Sequence, residues 1–272
     1  MACLLEEIIR RLDVVDTSIL LQHEEIVPKN LKRLKEAMFN IGQMVDPIIM
    51  DEKDHVVLDG NHRLMVLKDM ECPHAAVQPV DYSSPGIKLG TWYPASASFS
   101  VEQFTKAGIK AEKVEFKAGM EALEKDRVAF MLGKRNGHGK EAYLLSPGKY
   151  SSINELLEAQ KGIVDSAGVS TNPEVTYVAD DFGDVVLQDG LSVLYRRAYT
   201  KKEVVERAKS GVPFPPKSTR HLIPNRIVRL NMRLGWLFEN KDEARRLMLE
   251  MLKGRVYSGN VRRYPEPVIV IY

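Results

Sequence analysis

Val56-Val57-Leu58-Asp59-Gly60-Asn61-His62-Arg63 is the stretch from which the fold can be read. Three β-favouring residues run into Asp-Gly, a turn signal. A helix striped by Leu64, Leu67 and Met70 starts at once. Just upstream, Pro47-Ile48-Ile49-Met50 reads as a partner strand, with residues 51–54 as the charged turn of a hairpin. A helix start presents N–H groups and a partial positive charge, so a strand–turn–helix junction suits anions. Gly60 lets a phosphate approach the backbone closely. Arg63 offers a planar, permanently charged fork, and His62 can donate to a phosphate or move a proton. The same residues also fit a plain helix start capped by Asp59 or Asn61, with His62 and Arg63 on the surface.

At the N-terminus, Leu4, Leu5, Ile8, Ile9 and Leu12 share one helical face. Glu6, Glu7, Arg10 and Arg11 interrupt that stretch and argue against a signal peptide. A strand-like run at 18–21 leads to the polar segment Gln22-His23-Glu24-Glu25. Pro28 opens a helix striped by Leu31, Leu34 and Met38, since a proline is at home in a first turn. Further strands are expected at 75–80 and 87–93. From about Ser98 the texture changes to capped helices. Ser100 with Gln103, Ser152 with Glu155 and Thr200 with Glu203 fit the capping box, and Gly108, Gly168 and Gly211 stand where helices should stop. Strands are expected at 175–179, 192–196 and 268–272, an exposed turn at 135–140, and a stiff linker at 213–216. A late helix at 242–253 carries Ala244, Leu247, Met248, Met251 and Leu252 on one face.

The chain has 272 residues, which suits two domains or one large two-lobed one. Lys and Arg number 39 against 37 Asp and Glu, a balance that disfavours a general nucleic-acid binder. Cys3 and Cys72 cannot make a disulfide framework, and no CxxC pair suggests structural zinc. No apolar run is long enough for a membrane span. The expectation is a reduced, cytoplasmic α+β protein, with a small N-terminal domain over 1–97 and a larger mixed α/β domain over 98–272.

Asp59-Gly60-Asn61-His62-Arg63 resembles the signature of the ParB/sulfiredoxin-like superfamily. Sulfiredoxins carry a catalytic Cys directly before the His-Arg pair, where this chain has Asn61. The DNA-segregation branch adds a helix-turn-helix domain and usually a more basic surface. The third branch, the free serine kinases, carries Asp-Gly-His-His-Arg or a close variant. Three further segments are similar to that branch: Gln22-His23-Glu24, Thr91-Trp92-Tyr93-Pro94, and Lys217-Ser218-Thr219-Arg220-His221 with Pro224 after it. They occur in the same order and at similar spacing from about Ser18 to Asn231. Asn61 is the departure, and it bears on one nucleotide contact rather than on the fold.

The resemblance implies a free L-serine kinase with its active site in the cleft between the two domains. Phosphoryl transfer from ADP or ATP to the serine hydroxyl would give O-phospho-L-serine. Gly60, Asn61, His62 and Arg63 would cradle the phosphates. Glu24 would be the catalytic base, with Asp59 and His62 beside it in the catalytic set. Trp92, Ser218, Thr219, Arg220 and His221 would hold serine, with Arg220 facing its carboxylate. Mg2+ would bridge phosphate oxygens, with Asp59 as its protein ligand or water-holder. The partners implied are small molecules, not nucleic acid, a membrane or an obligate protein. Without the resemblance, Glu24 and Glu25 read as a solvated pair, Trp92 as core, Thr219 as a turn cap, Arg220 as a surface charge and His221 as a half-buried histidine. The alternative of another class is a ParB-like nucleotide-binding regulator acting through DNA or a protein.

Overall fold

The computed structural model describes residues 2–137 and 139–262, with side chains from Glu6 onward. The strand expected at 268–272, the imidazole of His138, and the side chains of Cys3, Leu4 and Leu5 lie outside the described residues. The chain forms two compact units and visits each more than once. The first comprises Met1–Ile87, Val205–Pro216 and Ile223–Tyr272; the second comprises Lys88–Val204 and Lys217–Leu222. The crossing thus follows Ile87 rather than residue 97, and residues 98–272 are shared between both units. Periodicity marks which face of a helix is buried but not which sheet it covers. The late helix Lys241–Tyr257 buries Ala244, Met248, Leu252 and Val256 in the core of the first unit.

The first unit is built on a four-stranded sheet in the order Asp13–Asp16, His74–Val80, Ile48–Asp51, Val57–Asp59. The middle pair is parallel, with Ile48 beside Val77, and both outer pairs are antiparallel. The hairpin read from the sequence is therefore present, and Ile48, Ile49, Val56 and Val57 are buried as their β-branched shapes favour. Helix Asn61–Asp69 buries Leu64, Val66 and Leu67. Helix Pro28–Ile41 starts at Pro28 and stops at Gly42, which takes the left-handed conformation at φ +64°. The strand expected at 18–21 is a 3-10 turn, Thr17–Ile19; the strand lies earlier, at Asp13–Asp16, where Val14 and Val15 are buried.

The second unit holds a six-stranded antiparallel sheet in the order Thr176–Ala179, Trp92–Ser96, Ser192–Tyr195, Val128–Asn136, Gly139–Pro147, Ala111–Val114. Its core gathers Tyr93, Leu123, Met131, Leu144, Val193 and Tyr195. The long hairpin of Val128–Asn136 and Gly139–Pro147 was not read from the sequence; only its tip, the expected turn at 135–140, was. Six successive buried residues, Val128 to Gly133, lack the alternation that marks a half-exposed strand. The run at 87–93 divides at Thr91 into Lys88–Gly90 and Trp92–Ser96, which join different sheets. All three capping boxes place Ser or Thr oxygen on the N–H three residues ahead, and at Thr200 the Glu203 carboxylate also returns to the Thr200 N–H at 2.7 Å. No helix among the described residues is long and apolar enough to cross a membrane.

Candidate active site

Strand Val57–Asp59 ends at Gly60, whose φ of +101° no other residue adopts without strain. A Cβ there would stand 2.8 Å from Arg63 Nη2 and 2.9 Å from Nε, so the arginine's end would have to shift. The guanidinium thus lies across the bare Cα. Its Nη2 donates to Asp59 Oδ2 at 2.7 Å, and Arg226 Nη2 donates to the same oxygen at 2.6 Å. Burial pushes the Asp59 carboxyl upward, but Arg63 and Arg226 outweigh it and hold the group below its ordinary value. Asp59 is therefore a carboxylate flanked by two cations. Arg63 Nε is buried against the glycine without a hydrogen-bond partner among the described residues.

The other two side chains of the turn face the Glu24 loop. Asn61 Oδ1 accepts the backbone N–H of His23 at 3.3 Å, and His62 Nε2 accepts the backbone N–H of Val27 at 3.0 Å. An accepting nitrogen carries no proton, so Nε2 of His62 is committed to the loop. His23 is buried, and its Nδ1 donates to the Val57 carbonyl. Burial is the main reason its pKa falls to about 4, so the ring is neutral at physiological pH. Its Nε2 stands 4.0 Å from Glu24 Oε2. Glu24 is held by backbone on both sides: Phe214 N–H donates to the His23 carbonyl and Glu25 N–H to the Phe214 carbonyl, each at 2.7 Å. The stretch expected as a linker at 213–216 is thus a clamp, with Phe214 fully buried beneath the Arg207 guanidinium. Glu24 is largely shielded whereas Glu25 is exposed, which separates two residues the sequence presents alike.

In the second unit, Trp92 opens strand Trp92–Ser96 with cations over its ring. Lys217 Nζ lies 5.5 Å and Arg220 Cζ 5.7 Å from the ring centroid. Arg220 Nη1 also donates to Asp180 Oδ1 at 3.0 Å and Asp181 Oδ1 at 2.9 Å. The fork expected to meet a carboxylate is therefore already paired within the unit. Strand Arg220–Leu222 pairs with Lys88–Gly90, which sets His221 opposite Leu89. Ser218 is fully buried and Thr219 nearly so. The Ser218 carbonyl accepts from Thr91 Oγ1 at 2.9 Å, so Ser218 belongs to the frame of the segment. A cleft of about 470 Å3 in this unit is bordered by Tyr93, Arg196, Arg197 and Glu203 and includes none of the predicted serine-binding residues.

Sequence reasoning passed over three residues that contact these segments: Arg226 on Asp59, Phe214 paired with the Glu24 loop, and the buried Arg196 on the Trp92 carbonyl. Arg226 stands two residues past Pro224, at the end of the matched segment, and that proximity was its available signal. Phe214 and Arg196 sit in no motif. No group of three or more His, Cys, Asp and Glu side chains suited to a metal ion occurs among the described residues.

No family model matches the chain. It is 34% identical over 227 residues to an ATP-dependent L-serine kinase of Staphylothermus marinus, spanning 78% of this chain and 85% of that protein. It is 29% identical over 226 residues to an ADP-dependent L-serine kinase of Thermococcus kodakarensis, spanning 79% of this chain and 88% of that protein. Among solved structures, a free serine kinase with one glutamate replaced by alanine, in complex with ADP, superimposes with a TM-score of 0.68 at 25% identity, covering 84% of this chain and 94% of that one.

Proposed function

The chain belongs to the family of nucleotide-dependent L-serine kinases, and from that premise we propose which of its residues perform the transfer. The reaction moves a phosphoryl group from ATP or ADP to the hydroxyl of L-serine, giving O-phospho-L-serine. The observation that supports the assignment best is the double stitch between the Glu24 loop and the turn at residues 59–63, through Asn61 and His62. It fixes a shielded carboxylate against a phosphate-type turn inside one unit. Such a pairing suits a reaction whose catalysis is positioning and charge stabilisation.

Glu24 accepts the serine hydroxyl proton as the oxygen attacks phosphorus. The start of helix Asn61–Asp69 supplies N–H groups to the phosphates at Gly60, and Arg63 and Arg226 supply positive charge. Neutral His23, together with His62, holds the Glu24 loop in register. Mg2+ commonly uses one or two carboxylates together with substrate phosphates, and bound here it would offset the charge on the transferred phosphoryl group. Asp59, whose Oδ2 accepts from both arginines, would be the carboxylate that holds the ion directly or through a water. Trp92, Thr219, Arg220 and His221 hold serine. Its carboxylate would share Arg220 with Asp180 and Asp181, with Lys217 near by at the same ring.

A thermal-shift titration tests the reading. Serine and nucleotide should each raise the melting temperature, because a ligand of the folded state stabilises it by mass action. A response to nucleotide with none to serine would point to a regulator instead.

A further inference from the structure

Arg196 follows strand Ser192–Tyr195 and is buried. Its Nε donates to Thr91 Oγ1 at 3.0 Å, its Nη1 to Ser218 Oγ at 3.4 Å, and its Nη2 to the Trp92 carbonyl at 2.9 Å and to the Lys217 carbonyl. Every acceptor is uncharged. A buried guanidinium costs free energy unless its donors are answered, and here each nitrogen is answered by one of two chain segments. One segment is Thr91-Trp92. The other is Lys217–Leu222, which visits this unit only for those residues. Thr91 closes the triangle by donating to the Ser218 carbonyl. At its far end the short segment is fixed by pairing with Lys88–Gly90. At its near end it turns through Lys217 at φ +58°, a strained conformation for a residue with a Cβ. Arg196 meets the segment at that strained turn.

We infer that Arg196 is a positioning residue for serine recognition: its buried fork locks the Lys217–Leu222 segment to Trp92, so that Thr219, Arg220 and His221 are preorganised. The inference rests on the serine-binding roles proposed above. A lysine can keep the charge but cannot span the same acceptors, because its ammonium is one point on a flexible stem. Met keeps much of the length and neither charge nor donors.

Two readouts test it in Arg196→Lys and Arg196→Met. The first is hydrogen–deuterium exchange of the folded, unliganded protein. Amides in 88–92 and 217–222 should exchange at least tenfold faster in both variants, while strands Val128–Asn136 and Gly139–Pro147 keep their protection. The second is kinetics. The serine KM should rise about tenfold or more, kcat should change less, nucleotide affinity should stay within about twofold, and Lys should be milder than Met. Thr91→Val, which keeps the guanidinium but removes one of its acceptors together with the donor to the Ser218 carbonyl, should shift exchange and KM in the same direction by a smaller factor. Unchanged exchange at 217–222 in a folded variant would overturn the inference whether or not serine is turned over. So would equal losses of serine and nucleotide affinity, or faster exchange across the whole unit. Absence of serine turnover in the unaltered protein would refute the proposed function instead, and the exchange result would still decide the role of Arg196.

Discussion

Replacing Gly60 with Ala tests the architecture of the turn in one atom. Two separable penalties are expected. At φ +101° a Cβ brings the left-handed penalty, roughly 1–2 kcal/mol. The same Cβ would stand 2.8 Å from Arg63 Nη2, and the long side chain relieves the clash by swinging away. That movement breaks the 2.7 Å bond to Asp59. The pair is partly exposed, so its loss adds about 1 kcal/mol rather than a buried pair's full value. The total is about 2–3 kcal/mol, or roughly 4–12 °C in melting temperature. Gly108→Ala separates the penalties, because Gly108 also has a positive φ, +80°, but nothing within 4 Å of the added atom. It should lose only the backbone part and leave nucleotide binding intact. Gly60→Ala should also weaken ADP by about tenfold or more in calorimetry, the equivalent of a lost charge-assisted phosphate contact of about 1.5 kcal/mol. Equal destabilisation of both variants with unchanged ADP affinity would refute the argument that Arg63 and Gly60 form one phosphate-facing unit.

Further expectations concern single side chains. Glu24→Gln should fold and bind both substrates yet lose about 10²–10⁴-fold in kcat, whereas exposed Glu25→Gln should be mild; steady-state rates within threefold of the unaltered protein for Glu24→Gln would remove it as the base. His23 has a folded pKa of about 4 against 6.5 unfolded, so below pH 6.5 the unfolded chain takes a proton that the folded chain refuses. Its contribution should be complete above about pH 6.5 and decline by up to about 3 kcal/mol as the pH falls toward 4. Urea melts of His23→Gln across that range should show a flatter pH dependence, and an identical slope would discount burial as the cause. Arg220→Ala should raise the serine KM strongly with little change in nucleotide affinity, and parallel losses for both substrates would indicate a folding defect. Threonine should be the poorer substrate by about 1–3 kcal/mol in kcat/KM, since it adds a methyl at the reacting carbon.

Where local chemistry decided the structure, the sequence was legible. The strand–turn–helix at residues 56–63, the proline start at Pro28, the capping serines and threonines, and the glycine stops all depend on neighbours a few residues away. The errors arose where distant contacts decided. Thr91 splits a continuous strand-like run because its hydroxyl and backbone answer Ser218 and Asp180. Phe214, set among prolines, reads as linker but is buried and paired by backbone with the Glu24 loop. The site followed the same division. Of the residues proposed for the site, Glu24, Asp59, Gly60 and Arg63 are reachable by motif, whereas Asn61, the departure from the family pattern, accepts the His23 N–H of the Glu24 loop. Arg226 and Arg196 act on residues far away in sequence, so no local pattern announces them.

Mass spectrometry of the products formed from L-serine and Mg2+ with ATP or ADP decides whether this chain phosphorylates free serine. O-phospho-L-serine should form with at least one of the two nucleotides, together with the matching nucleotide product one phosphate shorter, and neither product should form in a Glu24→Gln control on the same timescale. Nucleotide binding without phosphoserine from either donor, by protein that is folded, would contradict it.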